Sequence, residues 1–175
     1  MEAATIQAAQ AGHKPSQAQL LRLLQDPWYR VCLSLLSNPD DAREATQETA
    51  LRFLRDLPRF AGHSQLKTWS IGIAINVCRE IRRQRHPADL DSNPDMQTSE
   101  PSPADMAGLA EERRRLHALL ADLPPRQREA VVLRYFEDLS VEQTAAAMQC
   151  APGTIKATVH QALRALKRRL QRVEI

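Results

Sequence analysis

With 175 residues, 43% of them apolar and 4% aromatic, and with 5 glycines against 11 prolines, the chain is sized for one ordinary domain or two small ones, and its composition favours helices over a sheet. No apolar run reaches the roughly 18 residues of a membrane span, and the opening MEAATIQAAQAGHKPSQAQ lacks the charged-then-apolar order of a secretory leader, which argues against membrane insertion and for a cytoplasmic protein. The formal net charge of +3 is segregated: residues 22–86 carry 11 basic and 7 acidic side chains, residues 87–112 carry none and 7, and residues 113–175 carry 12 and 6.

Residues 1–19 fit no pattern and receive no function. Residues 20–36, LLRLLQDPWYRVCLSLL, and 41–57, DAREATQETALRFLRDL, both have the periodicity of helices. The second turns Ala42, Ala45, Thr46, Thr49, Ala50, Phe53, Leu54 and Leu57 to one side and Glu44, Gln47, Glu48, Leu51 and Arg55 to the other. An apolar Leu51 bracketed by carboxylates, in an otherwise basic module, suits docking on a positively charged protein partner better than on DNA. Next, Gly62 and Ser64 mark a loop, and a helix runs from about Leu66 to Arg85. Its core stripe is Leu66, Trp69, Ile73, Val77 and Ile81, while Ile71 and Ile75 project elsewhere beside Asn76, Arg79 and Arg82. Phe60 and Trp69, with Lys67, Arg79, Arg82, Arg83 and Arg85, equip this loop and helix to stack on bases and hold a nucleic-acid backbone. The alternative is that Phe60 and Trp69 are simply core residues.

The strip PADLDSNPDMQTSEPSPADMAGLAEE carries Pro87, Pro94, Pro101 and Pro103 and little apolar periodicity before Met106. It buries too little surface to fold alone and is expected to tether two domains. Two positive bodies on a tether suit a polyanion, because neutralised phosphates release counterions and linked weak sites reinforce each other. Beyond it, Ser140 and Gln143 form a capping box for a short helix through Val141, Thr144, Ala145 and Met148. The chain breaks over Gln149–Ala151 and restarts at Pro152, which tolerates the first turn. In the second helix Ile155, Val159, Ala162, Leu163, Leu166, Leu170 and Val173 form the expected buried stripe. Its other face carries Thr154, Ala157, Gln161, Arg164 and Arg168, flanked by Lys156 and His160: small groups first, cations last. That gradation fits a helix-turn-helix whose second helix enters a major groove, with Gln161 suited to adenine and Arg164 to guanine.

Taken together, these segments resemble the compact extracytoplasmic-function (ECF) sigma factors, the promoter-specificity subunits of bacterial RNA polymerase. DDAREATQETALRFL is similar to the family segment that docks on the clamp helices of the polymerase largest subunit. RFAGHSQLKTWSIGIAINVCREIRR resembles the segment that melts promoters, and LHALLADLPPRQREAVVLRYFEDLSVEQTAAAMQCAPGTIKATVHQALRALKRRL resembles the minus-35 module. The resemblance implies an all-α protein of two small domains, a helical bundle over 20–86 and a four-helix helix-turn-helix domain over 112–175, joined by the flexible acidic linker 87–111. It implies polymerase docking through Glu44, Gln47, Glu48, Leu51 and Arg55. Minus-10 DNA falls to Phe60, His63, Ser64, Lys67, Trp69, Asn76, Arg79, Arg82 and Arg83, and minus-35 DNA to Thr154, Lys156, Ala157, His160, Gln161, Arg164 and Arg168. The implied partners are the polymerase core, through its clamp helices and flap, and promoter DNA; the family is commonly restrained by an anti-sigma factor, which these residues do not identify.

Departures from the family pattern are visible. Gln149 stands where glycine is usual, Ala151 where serine or threonine caps, and Thr158 and Gln161 where arginine is frequent. Ala45 and Thr46 replace larger aliphatics, and Gly72 weakens its helix by about 1 kcal/mol relative to alanine. A stand-alone helix-turn-helix regulator is the competing reading, and it has no use for residues 41–85. An enzyme finds no support: His13, His63, His86, His117 and His160 lack partners at suggestive spacing, no phosphate loop appears, and no cofactor is expected. Cys32, Cys78 and Cys150, far apart among apolar neighbours, read as buried thiols rather than metal ligands.

Overall fold

A computed structural model of the chain describes residues 3–85, 116 and 118–173. Within them the order is α1 (Ala3–Gln10), α2 (Lys14–Leu36), α3 (Pro39–Asp56), a 3-10 turn (Leu57–Arg59), α4 (Leu66–Arg85), α5 (Pro125–Tyr135), α6 (Val141–Met148) and α7 (Pro152–Val173). The described residues contain no strand, so the all-helical expectation holds. The acidic linker expected over 87–111 lies outside the described residues, as do His86 and His117.

The first module is built on α2, which packs against both α3 and α4. Its buried residues Leu20, Leu24, Trp28, Val31, Cys32 and Leu35 recur at helical spacing, and each such side chain taken from water contributes about 1.5–3 kcal/mol. The helix begins at Lys14, earlier than its apolar periodicity indicates, because Pro15 occupies the first turn and needs no N–H partner there. It ends where Ser37 turns left-handed at φ 56°. Asn38 then caps α3, its Oδ1 accepting from the N–H groups of Asp40 (2.8 Å) and Asp41 (3.1 Å), while both aspartates favour the positive end of the helix dipole.

In the second module the capping box is realised at both ends: Ser140 Oγ accepts from Gln143 N–H at 3.1 Å, and Gln143 Oε1 accepts from Ser140 N–H at 2.7 Å. Gln149 ends α6 in the left-handed region at φ 55°. This is the conformation for which glycine is the natural choice, and Gln149 holds it at a steric cost. The buried stripe of α7 is shorter than expected. Ile155 and Ala162 are fully buried and Val159 and Leu166 partly so, but Leu163 and Leu170 are 42% and 50% exposed.

The two modules pack together through α4 on α6 and α2 on α5. Ile71 and Ile75, off the predicted core stripe of α4, are nonetheless fully buried. Between them Gly72 faces the α6 backbone so closely that a Cβ there would stand 3.2 Å from the carbonyl oxygen of Ala147. Helix α4 is thus covered on two sides: by its own module, and by the one that follows.

Candidate nucleic-acid interface

Helices α3 and α4 enclose an open groove of about 290 Å3. The α3 wall brings together Glu44, Gln47, Glu48 and Leu51, as predicted, and Leu51 stands 65% exposed. Arg55 does not line the groove and pairs instead with Asp56 at 2.8 and 2.9 Å. The opposite wall, Val77, Glu80, Ile81 and Gln84, was not anticipated. Val77 and Ile81, on the predicted core stripe, are nearly completely buried, with their edges reaching the groove.

The acids around Leu51 are held by arginines. Arg52 donates from Nε to Glu48 (2.6 Å) and through both terminal nitrogens to Glu80 (2.8 and 2.7 Å), which raises its own pKa and draws the Glu80 carboxyl below its ordinary range. Arg85 pairs with Glu44 at 2.9 Å and also with Asp41. Leu51 thus stands exposed in the groove, with the edges of Val77 and Ile81 opposite and its acidic neighbours Glu44 and Glu48 held in ion pairs with arginines.

At the other end of the module, an aromatic ladder links the core to the loop over 60–65. Trp28 packs on Phe53 (ring centroids 5.2 Å), Phe53 on Trp69 (5.7 Å) and Trp69 on Phe60 (4.9 Å). Trp69 and Phe60 are half-buried, so both rings pack on the core while keeping part of their surface accessible. His63 is exposed and Ser64 half-buried beside Gly62, whose φ of 75° makes the loop's sharp turn.

Of the cations of α4, Lys67, Arg79 and Arg85 are held in ion pairs. Arg79 donates to both carboxylate oxygens of Glu129 (3.0 and 2.7 Å) and to Asn76 Oδ1 (3.2 Å), and this pairing raises its pKa. Lys67 lies 3.2 Å from Glu137, which also accepts from Arg30 at 3.1 and 3.3 Å. Both carboxylates belong to the second module and are buried, with side chains 1% and 0% exposed. Half-buried Arg82 stays near Glu129, its pKa lowered by burial, whereas exposed Arg83 is near enough to Glu80 to help hold that carboxyl low. The predicted minus-10 set is thereby divided: Phe60, His63, Ser64 and Trp69 at the loop end, Lys67, Asn76, Arg79 and Arg82 along the module contact, and Arg83 beside Glu80 of the α3–α4 groove.

Arg30, Glu129 and Glu137 were missed by sequence reasoning, since pairs 50 and 107 positions apart leave no local signal. Arg128 was missed for the same reason. Its guanidinium is buried, donates to the carbonyl oxygens of Leu35 (3.0 Å), Leu123 (3.4 Å) and Ala121, and has its pKa pushed down to about 10 by burial, with repulsion from Arg82 adding to the shift. It ties the end of α2 to the start of the second module.

On α7 the structure brings the whole predicted set to one exposed surface: Thr154, Lys156, Ala157, His160, Gln161, Arg164 and Arg168, opposite buried Ile155 and Ala162. Among the described residues no atom lies within 4 Å of where a Cβ at Gly153 would stand, so this position at the leading end of the helix is open.

Residues 20–86 match the family described as Sigma-70 region 2, and residues 113–166 that described as Sigma-70, region 4. The chain is 31% identical to an RNA polymerase sigma-E factor of Streptomyces avermitilis over 87% of its own length and 84% of the relative's. It is 36% identical to the ECF RNA polymerase sigma factor EcfG of Rhodopseudomonas palustris over 74% and 71% respectively. Among solved structures, the sigma factor RpoE of Bartonella quintana, in complex with the anti-sigma factor NepR, superposes with a TM-score of 0.74 at 29% identity, covering 88% of this chain and 96% of that one.

Proposed function

The chain belongs to the ECF sigma factors of RNA polymerase, and from that premise we infer that it brings the polymerase core to a defined set of promoters and opens them. The groove between α3 and α4, with Leu51 as its apolar contact and Glu44, Gln47 and Glu48 around it, takes the polymerase clamp helices. The loop over 60–65 captures unstacked minus-10 bases on Phe60 and Trp69, with His63 and Ser64 beside them, while Lys67, Asn76, Arg79, Arg82 and Arg83 hold the backbone. The exposed face of α7 reads the minus-35 duplex, its small leading residues allowing close approach and Arg164 and Arg168 following on phosphate. Residues 20–86 and 112–175 act as two units, with 87–111 as the leash that lets them reach both elements.

One observation carries this reading: a single module holds an apolar docking contact in a groove on one side and an aromatic ladder with a cationic helix on the other. A helix-turn-helix regulator acting alone would need neither. In the closed arrangement Glu129 and Glu137 occupy the cations that DNA would take, so engagement of α4 with the duplex requires exchanging carboxylates for phosphates. No bond chemistry is assigned to the chain, which works where the polymerase does, in the cytoplasm; no helix among the described residues is long and apolar enough to cross a membrane. We extend to it the class of partner carried by the Bartonella relative, an anti-sigma factor. The reading is tested by comigration with core polymerase: a stable stoichiometric complex is expected, and a chain that binds duplex DNA while never comigrating would be a stand-alone regulator.

A further inference from the structure

Helix α1 lies ahead of the segment that matches the sigma-70 regions, and the function described so far gives it no part. It is nonetheless tightly built in. Ala9 is fully buried and Ile6 packs on the core. The corner into α2 is made by Gly12 at φ 90°, with His13 N–H donating to Ala8 O at 3.0 Å and Gln17 Nε2 donating to Ala9 O at 3.1 Å. The last residue of the helix, Gln10, then reaches a distant part of the chain. Its Nε2 donates to two backbone oxygens, Phe60 O at 2.8 Å and Leu57 O at 3.2 Å.

Those two oxygens bracket the 3-10 turn from which the base-capture loop leaves. Leu57 O also accepts from Phe60 N–H at 3.0 Å, so the side-chain amide closes a small ring around the residue that launches the loop. The other root of the loop is secured by α4 itself, where Trp69 N–H donates to Gln65 O at 3.0 Å and Ser70 Oγ to Lys67 O at 2.9 Å. The first root thus depends on a side chain of α1, outside the segment that matches the sigma-70 regions.

We propose that Gln10 is a positioning residue for minus-10 recognition: by bridging Leu57 O and Phe60 O it fixes where Phe60 stands on Trp69, and hence the geometry in which flipped bases are stacked. The inference rests on the sigma-factor reading above. A carboxamide suits the position because its nitrogen carries two N–H groups and both backbone oxygens accept from it. A glutamate of the same length would set a carboxylate against two carbonyl oxygens.

The test uses the full chain and its Gln10→Ala and Gln10→Glu variants, each reconstituted with core RNA polymerase and given fragmented genomic DNA, with transcript starts sequenced. Both variants are expected to bind core as well as the native chain does and to keep its minus-35 preference. Their output should fall at least fivefold, with base preference flattened at the minus-10 positions alone. Native output and preference in both variants would overturn the proposal. So would reduced output with the minus-10 preference intact, since a helix that merely supports the fold would scale activity without changing what is read. A native chain that is silent with core would instead sink the sigma-factor reading, and this proposal with it.

Discussion

At the scale of single residues, the sequence is most legible where the deciding interaction is local. The Ser140–Gln143 capping box spans three residues and forms as the pattern indicates. Leu51 was singled out as apolar on a wet face, and it stands 65% exposed in its groove. Leu51→Arg is expected to abolish copurification with core polymerase while leaving urea stability within about 0.5 kcal/mol of native, because an exposed side chain supports little of the fold; retained copurification would remove Leu51 from the docking surface. Gln149, flagged because glycine is usual there, sits at φ 55°. Gln149→Gly should therefore stabilise the second module by about 1 kcal/mol, read as a shift in the urea midpoint. The pairs Arg79–Glu129 and Arg30–Glu137 were invisible because each partner alone reads as an ordinary surface charge.

At the scale of elements, periodicity located helices better than it ranked their faces. Helix α4 runs from Leu66 to Arg85 as expected, yet burial of Ile71 and Ile75 could not be read from its pattern, since what covers that side comes from elsewhere in the chain. The reverse error occurs in α7, where periodicity continues through Leu163 and Leu170 although both stay largely exposed. By propensity alone Gly72 is a weak point, costing its helix about 1 kcal/mol relative to alanine. Its position shows what glycine provides: room for the backbone of Ala147. In Gly72→Ala the gain in propensity opposes the crowding of a Cβ 3.2 Å from a carbonyl oxygen. Hydrogen exchange is expected to quicken in the α6 amides and not in those of α4; exchange in α6 as slow as in the native chain would contradict the contact.

At the scale of the whole molecule, composition and charge segregation were enough to indicate a helical protein with two basic bodies, but not how those bodies meet. Their contact places buried Glu129 and Glu137 on Arg79, Lys67 and Arg30, so carboxylates of the second module neutralise cations of the first, two of which, Lys67 and Arg79, are proposed to hold promoter DNA. Charge-assisted hydrogen bonds of this kind are worth about 1.5–3 kcal/mol each, and a loss of about 1.4 kcal/mol multiplies the open fraction tenfold. The double variant Glu129→Gln, Glu137→Gln should raise the free chain's affinity for duplex DNA at least about tenfold. Asp138→Asn with Glu142→Gln removes the same formal charge from exposed positions and should raise it far less; equal effects would show charge alone at work. The central claim, that this chain is the promoter-reading part of a polymerase, is met most directly by run-off transcription on a genomic library with purified core. The account predicts discrete starts, each preceded by shared minus-10 and minus-35 sequences and absent without the chain. Folded chain that binds core yet yields no start on any template would contradict it.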